Sequence, residues 1–462
     1  MTDVRTEERA PPDGEPPAGL SEELIGAVRQ ALDAGEIGRA FELAAPLHAA
    51  DQADLLEQLG SEQRTTLVAE LKSKLDPEIL THLDAAVREE ILEQLTPDEA
   101  GAAIAQLDID DAIEVLEDLD EGEQIAILQT LPMPERAAVE QGLTYPEDSA
   151  GRLMQRELVA VPEFWTVGQT IDYLRAKPDL PDEFYDIYIV NPRFEPVGSI
   201  PLSRILRSKR GVLLTELKLK ELYLIPFDMD QEEVAFLFLQ YGLVSAPVVD
   251  PHRRLLGVIT VDDVVHVIEE EAEEDLLALG GVQETSIFTS PWRASRQRVP
   301  WLLMSLVSST LSASVIYMFN HSVEQLVALA VLMPVIAALG GNAGVQTLAV
   351  VVRALAVREL TRGNTGKVLV KEFAVGLLNG GAVMFVGALV ALIWFGQVDL
   401  AVVFAVSVLA TMSAAALIGV SVPLLLERLG FDPAIASSVF VTPIIDAIGF
   451  FIFLGIATLL LL

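Results

Sequence analysis

AIASSVFVTPIIDAIGFFIFLGIATLLLL, running from Ala434 to Leu462, decides the architecture of this 462-residue chain. The stretch exceeds the roughly 20 residues that a helix needs to cross a bilayer, yet it carries one ionisable side chain, Asp446. Hydrocarbon penalises an unpaired carboxylate heavily, so Asp446 must face a pore, a partner or a bound cation. Thr442 precedes it by one helical turn on the same face, and Pro443 frees a backbone carbonyl. Ser437, Ser438 and Gly449 lie in the same span. Carboxylate, hydroxyl and carbonyl are all oxygen ligands. A set this sparse would hold a magnesium ion through its hydration shell, because that ion gives up water reluctantly.

Upstream, four more apolar stretches reach spanning length: Trp301 to Phe319, Leu326 to Leu355, Phe373 to Phe395 and Ala401 to Leu426. The second is overlong and interrupted by Pro334 and by Gly340-Gly341-Asn342-Ala343-Gly344, which predicts a kink or a partly unwound turn. Asn342, Gln346 and Thr347 stand on neighbouring turns there. They read equally well as neutral ligands for water along an ion path and as polar contacts between closely packed helices. Arg293, Arg296 and Arg298 precede the first span, and Arg353, Arg358, Arg362, Lys367 and Lys371 lie between the second and third. The positive-inside rule then places the amino terminus in the cytoplasm and the carboxyl terminus outside.

The charge tells the rest of the chain apart from its membrane part. Of 31 basic and 67 acidic residues, six and seven fall from Val299 onward, leaving 25 basic and 60 acidic, a net −35, on the first 298 residues. Such a field repels nucleic acid and anionic lipid and favours cations, whose binding would relieve its self-repulsion. With no cysteine, disulfides, thiolate metal sites and thiol catalysis are excluded, so a bound metal is a hard one held by oxygen. The five histidines form no catalytic cluster and no phosphate-binding loop is evident, which argues against an enzyme. Residues 1–20 are acidic and proline-rich, without the apolar core of a signal peptide, and read as a disordered tail.

After the tail, Leu83, Leu95, Leu107, Leu119, Leu131 and Leu143 recur every twelve residues. They are followed by Asp84, Thr96, Asp108, Asp120, Pro132 and Thr144, the residues that start helices. Residues 21–144 therefore read as short helices of about two turns stacked into a superhelix. Residues 145–263 carry a helix, strand, turn and strand twice: Val167 to Arg175, Tyr185 to Val190 and Pro196 to Ile200, then Gln231 to Tyr241, Ser245 to Val249 and Leu255 to Thr260. This tandem α/β module resembles a pair of cystathionine-β-synthase-type (CBS) regulatory domains. Gly257-Val258-Ile259-Thr260-Val261-Asp262-Asp263 fits that family's nucleotide-contacting pattern, with Thr260 and Asp263 as its polar residues. The first copy has Pro201 and Arg204 there, so ATP is left as an open possibility for the second copy. Residues 264–298 form an acidic connecting helix and linker, and residues 299–462 the membrane domain of five spans.

Met333-Pro334, Gly340 through Thr347, Arg353-Ala354-Leu355-Ala356, Asp432-Pro433-Ala434, Thr442 and Asp446, together with this order of domains, resemble the MgtE family of bacterial magnesium channels. The resemblance implies a homodimer in the bacterial inner membrane whose second and fifth spans line the pore, with Asp446 as the ion-binding aspartate beside Thr442 and Asn342. A symmetric dimer also answers a shortage, since one aspartate per chain is thin for a divalent ion. The resemblance further implies that cytoplasmic Mg2+ bound by Asp110, Asp263, Glu271, Glu274 and Asp275 holds the connecting helix as a plug. Gly242 and His266 stand where the family pattern has a carboxylate pair, and Asn320 where an acid commonly follows the first span. The expected function is a Mg2+ channel or transporter with feedback. A transporter of Co2+ or Mn2+ and a membrane-anchored nucleotide or metal sensor are the alternatives.

Overall fold

The computed structural model describes residues 20–71, 76–178, 180–181, 184–219, 221–282, 286–361, 363–431 and 433–462. The expected tail up to Gly19, and Arg362 and Asp432, lie outside the described residues, as do the side chains of Ser437 and Ser438. The chain divides into two compact units, Met1–Val267 and Ile268–Leu462.

In the first unit the leucine interval sets short helices. They are α1 (Glu22–Asp33), α2 (Ile37–Ala44), α3 (Ala49–Gln58), α4 (Ser61–Leu71), α5 (Ala85–Leu92), α6 (Pro97–Ile104), α7 (Ile109–Glu117), α8 (Glu121–Leu128) and α9 (Met133–Gly142). From α5 to α9 each begins just after the capping residue read from the sequence, Asp84, Thr96, Asp108, Asp120 or Pro132. Thr96 and Glu99 close a reciprocal capping box that satisfies two orphan N–H groups. No helix of this length is stable alone, and burial of Leu55, Leu56, Ile79, Ile91, Ile104, Ile113 and Leu116 supplies what local propensity lacks. Two buried arginines bind successive turns of the superhelix in the same way. Arg64 donates to the Leu56 carbonyl and to Glu90, and Arg88 donates to the Leu80 carbonyl and to Glu114. The pattern thus repeats after two twelve-residue units.

Two three-stranded sheets follow. β1 (Ala160–Pro162) runs parallel to β2 (Asp186–Val190), which pairs antiparallel with β3 (Pro196–Pro201). β4 (Ile225–Pro226), β5 (Ser245–Val249) and β6 (Leu255–Thr260) repeat that order. Helices α10 (Val167–Ala176), α11 (Leu202–Leu206), α12 (Leu214–Leu217) and α13 (Gln231–Tyr241) complete the modules. The duplication extends to irregularities. The register slips between Ile189 and Val190 in one hairpin and between Val248 and Val249 in the other, and Phe194 and Arg253 both take positive φ, 64° and 62°. Gly242, one of the two family departures, caps α13 in the left-handed region at φ 60°, where a Cβ would be strained.

The boundary between units falls within α14 (Val261–Leu279). In the second unit come α15 (Pro291–Met318), the short α16 (Asn320–Gln325), α17 (Val327–Ala356), α18 (Thr365–Phe395), α19 (Val398–Leu429) and α20 (Pro433–Leu461). Among the described residues, five helices are long and apolar enough to cross a membrane, from α15, α17, α18, α19 and α20. Two expectations change. The first spanning helix starts at Pro291 rather than near Trp301, because Ser290 caps it and Pro291 occupies its first turn. Arg293, Arg296 and Arg298 therefore belong to that helix. And α17 is one uninterrupted helix through Pro334 and the glycine run. Its glycines serve contact rather than unwinding.

Candidate functional site

Three helices meet at those glycines. A Cβ on Gly344 would lie 2.1 Å from Ile445 Cδ1, and one on Gly340 would lie 2.8 Å from Thr411 Cγ2 and 2.9 Å from Ile445 Cγ2. From the other side, a Cβ on Gly419 would come within 2.8 Å of the Gly344 carbonyl. Hydrogen side chains alone let the backbones of α17, α19 and α20 approach this closely, as in small-residue packing between spans. The contact puts Gly341 opposite Thr442, with Thr442 Cγ2 3.7 Å from where its Cβ would stand. Asn342 is the next residue and is exposed in the single chain.

Above Thr442, Pro443 cannot donate a backbone hydrogen bond, and its carbonyl accepts one of 2.6 Å from Ser312 Oγ of α15. One turn beyond Thr442, Asp446 Oδ1 is buried without a hydrogen-bond partner, as is Thr411 Oγ1 of α19. Buried polar atoms are nearly always satisfied, so an orphaned carboxylate oxygen is an exception and a candidate ligand. Among the described residues, no three carboxylate or imidazole groups converge to hold an ion directly. Whatever cation Asp446 meets must bring water or a second copy's ligands. Thr442 is thus brought against α17, whereas the exposed Asn342 closes no ligand shell with Asp446 within one chain.

The second concentration of chemistry lies in the first unit. The first turn of α7 carries Asp110 and Asp111, and the first turn of α14 carries Asp262 and Asp263. Asp110 is buried, its Oδ1 has no partner, and its carboxyl is held well above the usual range by burial and by the charges of Asp263, Asp111 and Asp108. Asp111 is pushed up to about 7 by burial and by Glu114, Asp263, Asp108 and Glu78. Asp263 is raised to about 6 by burial and by Asp262, although Thr260 Oγ1 donates to it at 2.7 Å. Gln155 Nε2 donates to the same carboxylate at 3.2 Å. The polar pair of the nucleotide pattern is therefore engaged by Gln155.

His266, the other departure, faces His82 of the superhelix with ring centroids 6.3 Å apart, and burial and the charge on His266 lower the pKa of His82. Farther along α14, in the second unit, Glu271, Glu274 and Asp275 are half-buried on one face. One turn later Ala278 packs into a cluster with Leu348, Val352, Ala415, Ala434, Val441 and Ile445. Of the expected sensor residues, the fold brings Asp110 and Asp263 together and puts Glu271, Glu274 and Asp275 on a common stripe.

Asp111, Gln155 and Thr411 escaped the sequence reading, as did Glu372 of α18, which is 6% exposed. Glu372 lies four and eight residues before Gly376 and Gly380, both buried against α19. That interval was the available signal, masked by Lys367 and Lys371 just before it.

The chain matches three family profiles: the MgtE divalent cation transporter over residues 333–456, the MgtE intracellular N domain over 47–148 and the CBS domain over 215–270. Magnesium transporter MgtE of Thermus thermophilus is 37% identical over 319 residues, 68% of this chain and 70% of that protein. Its Bacillus subtilis counterpart is 32% identical over 313 residues, 67% of this chain and 69% of that protein. Among solved structures, the soluble part of a magnesium transporter is 25% identical with a TM-score of 0.48, over 54% of this chain and 99% of the other. The cytosolic domain of the Mg2+ channel MgtE in complex with ATP is 32% identical, also with a TM-score of 0.48, over 53% and 99%.

Proposed function

Because this chain belongs to the MgtE family of divalent cation transporters, we propose that it carries Mg2+ across the bilayer past Asp446, through a pore shared by two copies, and that cytoplasmic Mg2+ closes that path. It is a multi-pass membrane transporter, not an enzyme. The observation that carries the proposal is the buried, unpartnered Oδ1 of Asp446 in an otherwise apolar span.

Two copies related by a two-fold axis supply two such carboxylates and turn the exposed Asn342 inward, where hydrated Mg2+ meets carboxylate, amide and hydroxyl without shedding all its water. Feedback follows from electrostatics. Burial and the charge of Asp263 hold Asp110 and Asp111 protonated to higher pH, and a divalent cation relieves the same repulsion. Within the second unit, Glu271, Glu274 and Asp275 put an acidic stripe of their own on α14, whose Ala278 lies against Val441 and Ile445. A cation that holds α14 there keeps the plug beside the Asp446 turn. The amino terminus is cytoplasmic and the carboxyl terminus outside in this reading, in a bacterial inner membrane.

The test is flux into vesicles loaded with a magnesium-sensitive dye, native chain against Asp446→Ala. The native chain admits Mg2+ and the variant does not; selective uptake that persists in the variant sinks the proposal. Competing Co2+ or Mn2+ in the same vesicles separates the neighbouring reading, in which either ion is carried in preference to Mg2+.

A further inference from the structure

Between α17, α18 and α19 lies a cavity of about 140 Å3, lined among others by Gln346, Thr347, Glu372, Val375 and Asn379. Its carboxylate is anomalous. Glu372 is nearly inaccessible, and among the described residues it pairs with Lys371, whose Nζ lies 3.3 Å from Oε1 and whose side chain is 69% exposed. A pair with a solvent-exposed lysine contributes about 1 kcal/mol at most, well short of the cost of burying a carboxylate. Beside it the lining offers two side-chain amides and a hydroxyl among otherwise apolar residues.

From these residues we propose a second hydrated divalent-cation station in this cavity, with Glu372 as its charged ligand and Gln346, Thr347 and Asn379 contacting the ion's water shell. The volume suits it. At about 10–15 Å3 of such space for each water, the cavity admits several waters around an ion that dehydrates reluctantly. Position also suits it. Asp446 lies about 20 Å of helix rise from the start of α20, and Glu372 about 10 Å from the start of α18. Both starts are at the membrane face carrying Arg353, Lys367 and Lys371, so the station lies nearer that face than Asp446. The site rests on the reading of the chain as a cation transporter, but its charged ligand is distinct from the Asp446 proposed for the pore.

Because the chain has no cysteine, Val375→Cys provides a single reporter in the cavity wall. A water-soluble maleimide should label it in the full-length protein, and Mg2+ alone should slow the labelling when Glu372 is present but not in Glu372→Gln. In flux, Glu372→Gln should raise the half-saturating Mg2+ concentration about tenfold, as loss of one charged ligand does, and Glu372→Asp should restore most of it. Resistance to labelling means a dry cavity and overturns the proposal. So does labelling that ignores Mg2+ together with a native concentration dependence in Glu372→Gln. If Glu372→Gln fails to fold, the Mg2+ response of Val375→Cys in the native background and the flux of Glu372→Asp decide. Absence of flux in the native chain counts against transport itself, whereas flux that needs Asp446 and ignores Glu372 counts against this station alone.

Discussion

Gly344 shows how much one hydrogen atom controls. Its missing Cβ is the space that Ile445 Cδ1 occupies at 2.1 Å from the would-be carbon, one residue before Asp446. Gly344→Ala should therefore push Ile445 out of its rotamer and lower the melting temperature by the equivalent of about 1–3 kcal/mol. Pairing it with Ile445→Val should recover part of that loss, and thermal unfolding of the purified single and double variants measures both. A double variant no better than the single would mean that the helices separate instead of repacking. Asp446 was legible in the sequence because lipid makes a lone charge anomalous. Glu372 was not, because adjacent lysines made it look like an interfacial residue, and only the fold shows its helix face turned toward α19. Gly242 was read as the loss of an acid. Its φ of 60° shows that the position now serves to end α13.

At the level of elements, capping chemistry and packing can be separated. The α6 helix begins with a closed box, Thr96 Oγ1 accepting from the Glu99 N–H and Glu99 accepting from the Thr96 N–H. Thr96→Ala should cost about 1 kcal/mol, a drop of a few degrees in the melting temperature of the full chain. Asp120→Ala should cost less, since no side-chain cap bond is made there. Equal losses would show that the residues act through something other than their caps. The same elements mark the limit of local reading. Helices opened by Asp84, Thr96 and Asp108 and the hairpins of β2–β3 and β5–β6 were legible from spacing and turns, because their determinants lie within a few residues. The strands β1 and β4 were not. They are two or three residues long and owe their extended form to parallel partners far along the chain. The expected break in α17 failed for a related reason: a glycine run has the same composition whether it unwinds or admits a neighbour.

For the whole molecule, the clustered carboxylates of α7 and α14 link folding to protons and to metal. In the unfolded chain these aspartates ionise near 3.8, whereas in the fold Asp263 is raised to about 6 and Asp111 to about 7. Below the lower value both states are protonated. As pH rises from there toward 7 the unfolded state gives up its protons first, so the fold loses stability across that window and changes little above it. Without divalent ions, the melting temperature of the full chain should be higher at pH 5 than at pH 8, by on the order of 5 °C. Millimolar Mg2+ should erase most of the difference by stabilising the pH 8 state. A melting curve indifferent to both would place these carboxylates in solvent.

The two regulatory modules share a flaw as well as a fold. Each hairpin slips register at its fourth and fifth residues and turns through a bulky side chain at positive φ, Phe194 in one and Arg253 in the other. Such turns are costly to hold and survive only where the surroundings insist on them. The first module has this bend although Pro201 and Arg204 stand where the second has the polar pair Thr260 and Asp263. What both copies share is a curvature, so in the first module the bend holds a fixed angle in the hairpin without that polar pair beside it.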